Sequence, residues 1–510
     1  MTELVRQPAA AESTDFDLIV VGGGVYGITL SLEAARRGYR PLLLEQNDFN
    51  SATSWNSLRI VHGGLRYLQS LDLRRFFESV SERRWFFRHF PDLIGVLPCL
   101  MPLYNRGMKR RATMFAALRL NDALSVRRNV GVNDDVRLPK AKLINAPQTR
   151  GLFPGIDDDG LKGAANWFDG VMLHHQRLMI EALRWAAHAG ATALNYCRVE
   201  TGTVHGGDIT GVEATDLVTG QTHAFTAPVV INAAGPSAAM FAKTLDANAS
   251  DKPEELIELF RPSLAFNLLL DHEAISTHAV AIEPKTPTNP ASNGGKPRTY
   301  FVLPWTVNGK PSVLAGTFHA PLPPGATTAQ PSEDQIHEFL ADLNAASPGL
   351  SPTRSQVMRV YAGLLPAEQP NHEATAHRAV WVDHGQRGGP VGAFSVSGVK
   401  YTTARLVGEQ TLRRVFGSKL REVQNDTQRP PDDESLDFHS YRTNRDTPGY
   451  EDAVRRVASL ESAVYLDDML HRRSDWGADP AAEADARDDL RRILDLPDAP
   501  PQTDATPAAA

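Results

Sequence analysis

Cysteine is nearly missing from this chain: there are two in 510 residues, Cys99 and Cys197, with no C-x-x-C pair. That argues against a disulfide framework, a zinc site and a redox-active dithiol, and a reducing, cytoplasmic compartment is expected. No apolar run reaches the length of about eighteen residues that a membrane-spanning helix needs. Positive charge is not in excess either. With 53 Lys and Arg against 60 Asp and Glu, the formal net charge is -7, and nucleic acid is not expected as a partner. No G-x-S-x-G elbow supports hydrolase chemistry. The triplet Asp157-Asp158-Asp159 has no spaced partner ligands and reads as a solvated turn, so no metal is expected. Residues 1–14 lack a basic segment followed by an apolar one; they read as a short disordered arm, not a secretory signal.

Against these absences stands one informative stretch. An apolar run, Phe16 to Val21, enters a turn with Gly22, Gly24 and Gly27 in G-x-G-x-x-G spacing; a helical segment ending at Gly38, a second apolar run and Glu45 follow. The order strand, phosphate turn, helix, strand, carboxylate describes a dinucleotide site. Gly22 permits the turn, Gly24 lets the backbone approach a pyrophosphate, Gly27 lets helix pack on strand, and Glu45 accepts ribose hydroxyls. No second G-x-G-x-x-G occurs, which disfavours a reductase carrying two dinucleotides.

The residues after Glu45 separate FAD from NAD. Ala52-Thr53-Ser54-x-Asn56-Ser57 followed by His62-Gly63-Gly64-Leu65-Arg66-Tyr67 closely resembles the FAD-dependent glycerol-3-phosphate dehydrogenases, within the larger superfamily of amine and hydroxy-acid flavoproteins. The resemblance returns at Asn232-Ala233-Ala234-Gly235-Pro236, at Lys400-x-Thr402-Thr403-x-Arg405 and, more faintly, around Leu466 to Arg473. It implies an α/β fold: a discontinuous Rossmann-like FAD-binding domain, an antiparallel-sheet substrate cap and a short C-terminal helical appendage. It also implies oxidation of a secondary alcohol of a small polyol phosphate, by default glycerol 3-phosphate, with electrons passed to quinone or another acceptor.

The same resemblance distributes the roles. His62 is the candidate proton acceptor or hydroxyl-orienting group beside the flavin. Lys400 is expected near substrate and flavin, where an ammonium can stabilise reduced flavin. Arg66, Tyr67, Arg378 and Arg405 are expected at the substrate. FAD contacts are expected from Gly22, Gly24, Gly27, Glu45, Thr53, Ser54, Ser57, His62, Gly63, Gly64, Val199, Ala234, Gly235, Gly398 and Lys400. Two positions depart from the family pattern. Leu365 stands where an arginine is usual, and Asn267 where a histidine is usual. Both belong to the expected substrate pocket, and losing the arginine implies a weaker phosphate clamp and a preference for a bulkier or less charged group. An amine or hydroxy-acid oxidase and a flavin-binding accessory protein without turnover are the competing functions; anaerobic flavin bleaching separates them.

The FAD-binding domain is expected at 15–95, 170–245 and 375–425. Residues 96–169 and 246–374 would form the cap, 435–496 the helical appendage, and 497–510 a disordered tail. The stretch Leu93 to Tyr104, leading into Lys109-Arg110-Arg111 and then Met114, Phe115, Leu118 and Leu120, offers apolar surface beside cations, as a peripheral membrane contact requires. Its alternative is a buried, domain-crossing segment.

Overall fold

The computed structural model describes residues 4–104, 109–245, 261–322, 329–368, 375–424, 428–431, 436–438 and 441–500. Two sheets carry the architecture. The first has six strands in the order Val380–Asp383, Ala393–Ser397, Val230–Asn232, Leu18–Val21, Pro41–Leu44 and Thr192–Leu194. All its pairings are parallel except that between Val380–Asp383 and Ala393–Ser397. Its central strand, LIVV, is buried along its whole length, as a parallel strand covered on both faces must be. The helix Val25–Ala35 packs against the helices His175–His188 and Ala404–Phe416, so three separated stretches of sequence build one dinucleotide unit.

The second sheet is mostly antiparallel. Its path runs Val357–Pro366, Pro262–Leu270, Lys310–Pro321, Tyr300–Val307, Ala279–Ile282, Ile94–Pro102, Ala164–Met172 and Ile60–Val61. On one face Leu264, Phe266 and Leu268 meet Phe339 and Leu343 of the helix Glu333–Ala346. Leu269, Leu303, Leu314 and Tyr361 of the same strands cluster instead with Trp55, Leu58 and Ala478. Domain boundaries therefore fall differently from those expected at 95 and 170, because Ile60–Val61, Ile94–Pro102 and all of Ala164–Met172 pair within the cap sheet. Ile94–Pro102 is an interior strand, so Leu93 to Tyr104 is not surface; of the apolar residues after it, Met114 and Leu118 are buried in the core and Phe115 and Leu120 are exposed.

Residues 4–14 correct the expectation of a free arm. Leu4 is buried and donates its N–H to Leu460 O (2.7 Å), Arg6 donates to Asn195 O (3.0 Å), and Pro8–Glu12 is helical. A helix start at Pro8 is favoured because proline lacks the N–H that would be orphaned there. Among the tail residues, Pro497 and Asp498 accept backbone N–H groups of Leu466 and Asp467; 501–510 lie outside the described residues.

The appendage packs Tyr441, Tyr450, Val454, Leu470 and Leu490 around Trp476. A buried ion pair clamps it to the dinucleotide unit. Arg473 donates to Asp48 through Nη1 (2.5 Å) and Nη2 (2.9 Å), and neither side chain is exposed. Arg473→Met would leave the Asp48 carboxylate with less of the cationic partner that compensates its burial. A loss of about 3–5 kcal/mol is expected, measured as lower denaturation resistance; an unchanged melt would show that the pair does not hold the appendage.

Candidate active site

The phosphate turn is pressed between neighbouring strands. A Cβ at Gly22, whose φ is +105°, would lie 2.7 Å from Ala234 Cα, and one at Gly27 would lie 1.8 Å from Gly22 O. Gly24 differs: a Cβ there would meet only Ser54 Oγ, at 3.1 Å, so this glycine borders the space a pyrophosphate needs. Ser54 Oγ accepts the Val25 N–H (2.9 Å) at the helix start. Glu45 ends the second strand, with Oε2 accepting from Gly23 N (2.5 Å) and Oε1 from Asn47 N (2.8 Å). Burial pushes its carboxyl up, and those two N–H groups oppose the shift. Cys197 N donates to Glu45 O (2.7 Å), so the strand Cys197–His205 that carries Val199 begins beside Glu45.

The segment 52–58 joins this turn to the cap. Thr53 Oγ1 bonds both Leu364 N and Leu364 O at 3.1 Å, and a Cβ on Gly363 would strike Thr53 Cγ2 at 2.8 Å. Ser57 Oγ accepts Arg59 N at 3.4 Å within the loop. Asn267 proves to be a brace: its Nδ2 donates to Asn56 O and its Oδ1 accepts from Thr317 Oγ1, both at 2.9 Å. Its amide holds the flavin loop against the cap sheet, which corrects the expected substrate contact. Leu365 stands half-buried on the adjoining strand, paired with Ser263.

His62 follows at the end of Ile60–Val61. Burial drives its pKa down to about 4, with Lys400, Arg83 and Arg66 reinforcing the shift against Asp169, so the imidazole is neutral near pH 7 and able to take a proton. The turn behind it is fixed by Asp169, which accepts Gly63 N–H (2.6 Å) and Trp167 Nε1 (3.0 Å) and pairs with Arg83. A Cβ at Gly63 would collide with that guanidinium at 2.1 Å. Gly64 has φ +77°, which lets the chain reverse into the helix Leu65–Gln69.

Tyr67 of that helix is surrounded by cations. Lys400 Nζ donates to its hydroxyl and lies 4.2 Å from the ring centre; Arg75 Cζ lies 4.8 Å from the same centre. The rings of His62 and Tyr67 are 6.2 Å apart. Arg66 is exposed, yet near enough to depress the pKa values of His62, Lys400 and His319. Arg378 is exposed and acts on Asp72 at the edge of this cluster. Arg405 is not there. It bonds Glu82 (2.9 Å) and Glu409 (3.1 Å) and lies 3.4 Å from Glu33, so the packing of three helices consumes its charge and the expected substrate role is corrected.

Ser397 Oγ and Thr402 Oγ1 are buried without a hydrogen-bond partner among the described residues, and they precede the helix Ala404–Phe416, whose N-cap Thr403 makes no side-chain cap bond. Unsatisfied buried hydroxyls ahead of a helix N-terminus fit the polar edge of a flavin. Together with the glycine cradle and Glu45, they match the donor set of FAD. Ala234 abuts Gly22, and Gly235 has φ +54° with open space around its Cα, leaving room for a cofactor. Gly398 instead makes room for a side chain. A Cβ there would lie 1.9 Å from Tyr26 Cζ, and the Tyr26 hydroxyl accepts Lys400 N–H (2.7 Å) and donates to Lys400 O (2.8 Å).

Residues 17–412 match the FAD dependent oxidoreductase family. The chain belongs to that family. The flavoenzyme is 30% identical over 420 residues to glycerol-3-phosphate dehydrogenase of Synechocystis sp., covering 80% of this chain and 71% of that protein. It is 32% identical over 413 residues to glycerol-3-phosphate dehydrogenase 1 of Mycobacterium tuberculosis, covering 80% and 74% respectively. In fold it is similar to glycerol-3-phosphate dehydrogenase from Bacillus halodurans complexed with FAD, with a TM-score of 0.67, 20% identity, and coverage of 97% of this chain and 92% of that one.

Tyr26, Arg75, Asp169 and His319 are the site residues that sequence reasoning missed. His319 pairs with Ala265 across the cap sheet; burial, then Arg66 and Arg298, take it to about 4. Only sheet pairing reveals it. Tyr26 occupies a variable position of the glycine motif, where its size was the one available signal. Lys400 supplies a pH prediction: burial, Arg75 and Arg66 lower its ammonium to about 8, against Asp72 and Glu78. If its charge attracts an anionic substrate, kcat/KM should fall about tenfold per pH unit above that value. Lys400→Arg should hold kcat/KM level through pH 9; an unchanged profile would remove Lys400 from substrate attraction.

Proposed function

We propose that this flavoenzyme oxidises glycerol 3-phosphate to dihydroxyacetone phosphate and delivers the electrons to a quinone at a membrane surface on the cytoplasmic side. The observation that carries the reading is the placement of His62 beside the cations around Tyr67, the two rings 6.2 Å apart. His62 accepts the hydroxyl proton of the secondary carbinol as its C–H bond yields a hydride and the carbon becomes a carbonyl. Arg66 and Lys400 hold the phosphate, which fixes the carbinol relative to the imidazole. Bound FAD supplies the two-electron acceptor. The named relatives support this substrate over amines and hydroxy acids.

No helix among the described residues is long and apolar enough to cross a membrane. Surface attachment has support from the helix Arg111–Leu124, where exposed Phe115 accompanies Arg110, Arg111 and Arg119 along an open groove of about 900 Å³ and Leu120 is exposed nearby on the same helix. Apolar anchors beside cations suit an anionic bilayer surface. The deciding experiment is anaerobic mixing of the yellow protein with glycerol 3-phosphate, glycine, proline and 2-hydroxy acids. Bleaching by glycerol 3-phosphate is expected, with reoxidation by a soluble quinone. Bleaching by an amine or hydroxy acid in preference would assign a different oxidase, and no bleaching by any of them would leave a flavin-binding protein without this activity.

A further inference from the structure

Leu365 puts a neutral side chain where the glycerol-3-phosphate dehydrogenase pattern has an arginine, so a phosphate clamp built only on the motif residues is one cation short. The helix Leu73–His89 brings another. Its N-cap, Asp72, accepts Arg75 N–H at Oδ1 (3.0 Å) and Arg75 Nε at Oδ2 (2.5 Å). The first bond holds the backbone at the helix start; the second anchors the guanidinium at Nε, and the group lies over the Tyr67 ring, 4.8 Å from its centre. The terminal nitrogens Nη1 and Nη2 have no acceptor among the described residues. Lys400 Nζ reaches the same ring, at 4.2 Å from its centre, and donates to the hydroxyl.

Charge around Tyr67 does not balance. Arg66, Arg75 and Lys400 converge there, with Arg378 at the edge. The opposing carboxylates are Asp72, already engaged by the helix N-terminus and Arg75, and Glu78, which pairs with Arg74 at 3.0 Å. Cations held together with too few carboxylates repel one another, and an anion relieves that repulsion. A guanidinium held at Nε with its terminal N–H groups free is also placed to meet two oxygens of one phosphate.

We propose that Arg75 is a substrate ligand, supplying from the helix Leu73–His89 the cation that position 365 lacks, and that the group it recognises is a phosphate monoester. The proposal rests on the function proposed above and deepens it. It reverses the expectation drawn from Leu365: glycerol 3-phosphate binding is retained because its clamp has been rebuilt on a different element.

The test uses the FAD-loaded protein and two probes, inorganic phosphate by calorimetry and glycerol 3-phosphate by steady-state kinetics. Arg75→Met, which keeps an apolar stem over Tyr67, should weaken phosphate binding and raise the KM for glycerol 3-phosphate by about ten- to a hundredfold, the value of a lost charge-assisted contact. Its kcat and flavin content should stay near those of the unaltered protein, and Arg75→Lys should fall between the two. Undiminished phosphate affinity in Arg75→Met, or a fall in kcat with KM unchanged, would make Arg75 a structural partner of Tyr67 and overturn the proposal. Should Arg75→Met fail to retain FAD, Arg75→Lys decides: weaker phosphate binding supports the role and equal binding overturns it. If phosphate binds in an Arg75-dependent way but glycerol 3-phosphate does not bleach the flavin, the anion site stands and the proposed reaction fails. If the unaltered protein binds neither probe, the anion site itself is wrong.

Discussion

Gly24→Val is expected to give a folded, colourless protein. The backbone at Gly24 has φ -77°, a conformation any residue adopts, and a Cβ would approach only Ser54 Oγ, a single side-chain atom. The fold therefore tolerates the substitution, whereas the added isopropyl group fills the space through which the pyrophosphate passes. Gly27 provides the contrast. A Cβ there would press on Gly22 O at 1.8 Å, so Gly27→Val should damage folding itself. Flavin absorbance after gel filtration, read beside thermal melts, separates the two effects. Retention of FAD by Gly24→Val would refute the assignment of this turn to the pyrophosphate.

His62→Ala should slow anaerobic flavin reduction by about 10²- to 10⁴-fold, the range for a general base, with a much smaller change in KM. The physical basis is the neutral imidazole: burial outweighs the pull of Asp169 and, with Lys400, Arg83 and Arg66 nearby, holds its pKa near 4. A base with that value stays deprotonated across the neutral range, so the rate limb it causes should appear only toward pH 4. The turn should survive the substitution, because Asp169 and the conformation of Gly64 hold it independently of the imidazole. An unchanged reduction rate would leave His62 as a turn residue and move the proton to another group, with His319 the nearest alternative in kind.

Much of this was legible in the sequence because it resides in local chemistry. The glycine spacing, the following helix and Glu45 specify a dinucleotide turn through backbone sterics within one βαβ unit, and His62 to Tyr67 form a contiguous turn whose geometry depends on its own glycines. What the sequence could not decide was where a charge would be spent. Arg405 lies in a motif that implied substrate binding, but helix packing places it among Glu82, Glu33 and Glu409, where a buried guanidinium is compensated. Arg75 lies in no motif, and a cap on its own helix turns it over Tyr67. Asn267 was read as a pocket residue, and its amide is taken by Asn56 and Thr317 from two other segments. Local sequence determined the cofactor turn, since its constraints act between neighbours along the chain. Tertiary structure alone decided which cations are paired off and which gather at Tyr67, since the carboxylates that neutralise or spare them come from other helices.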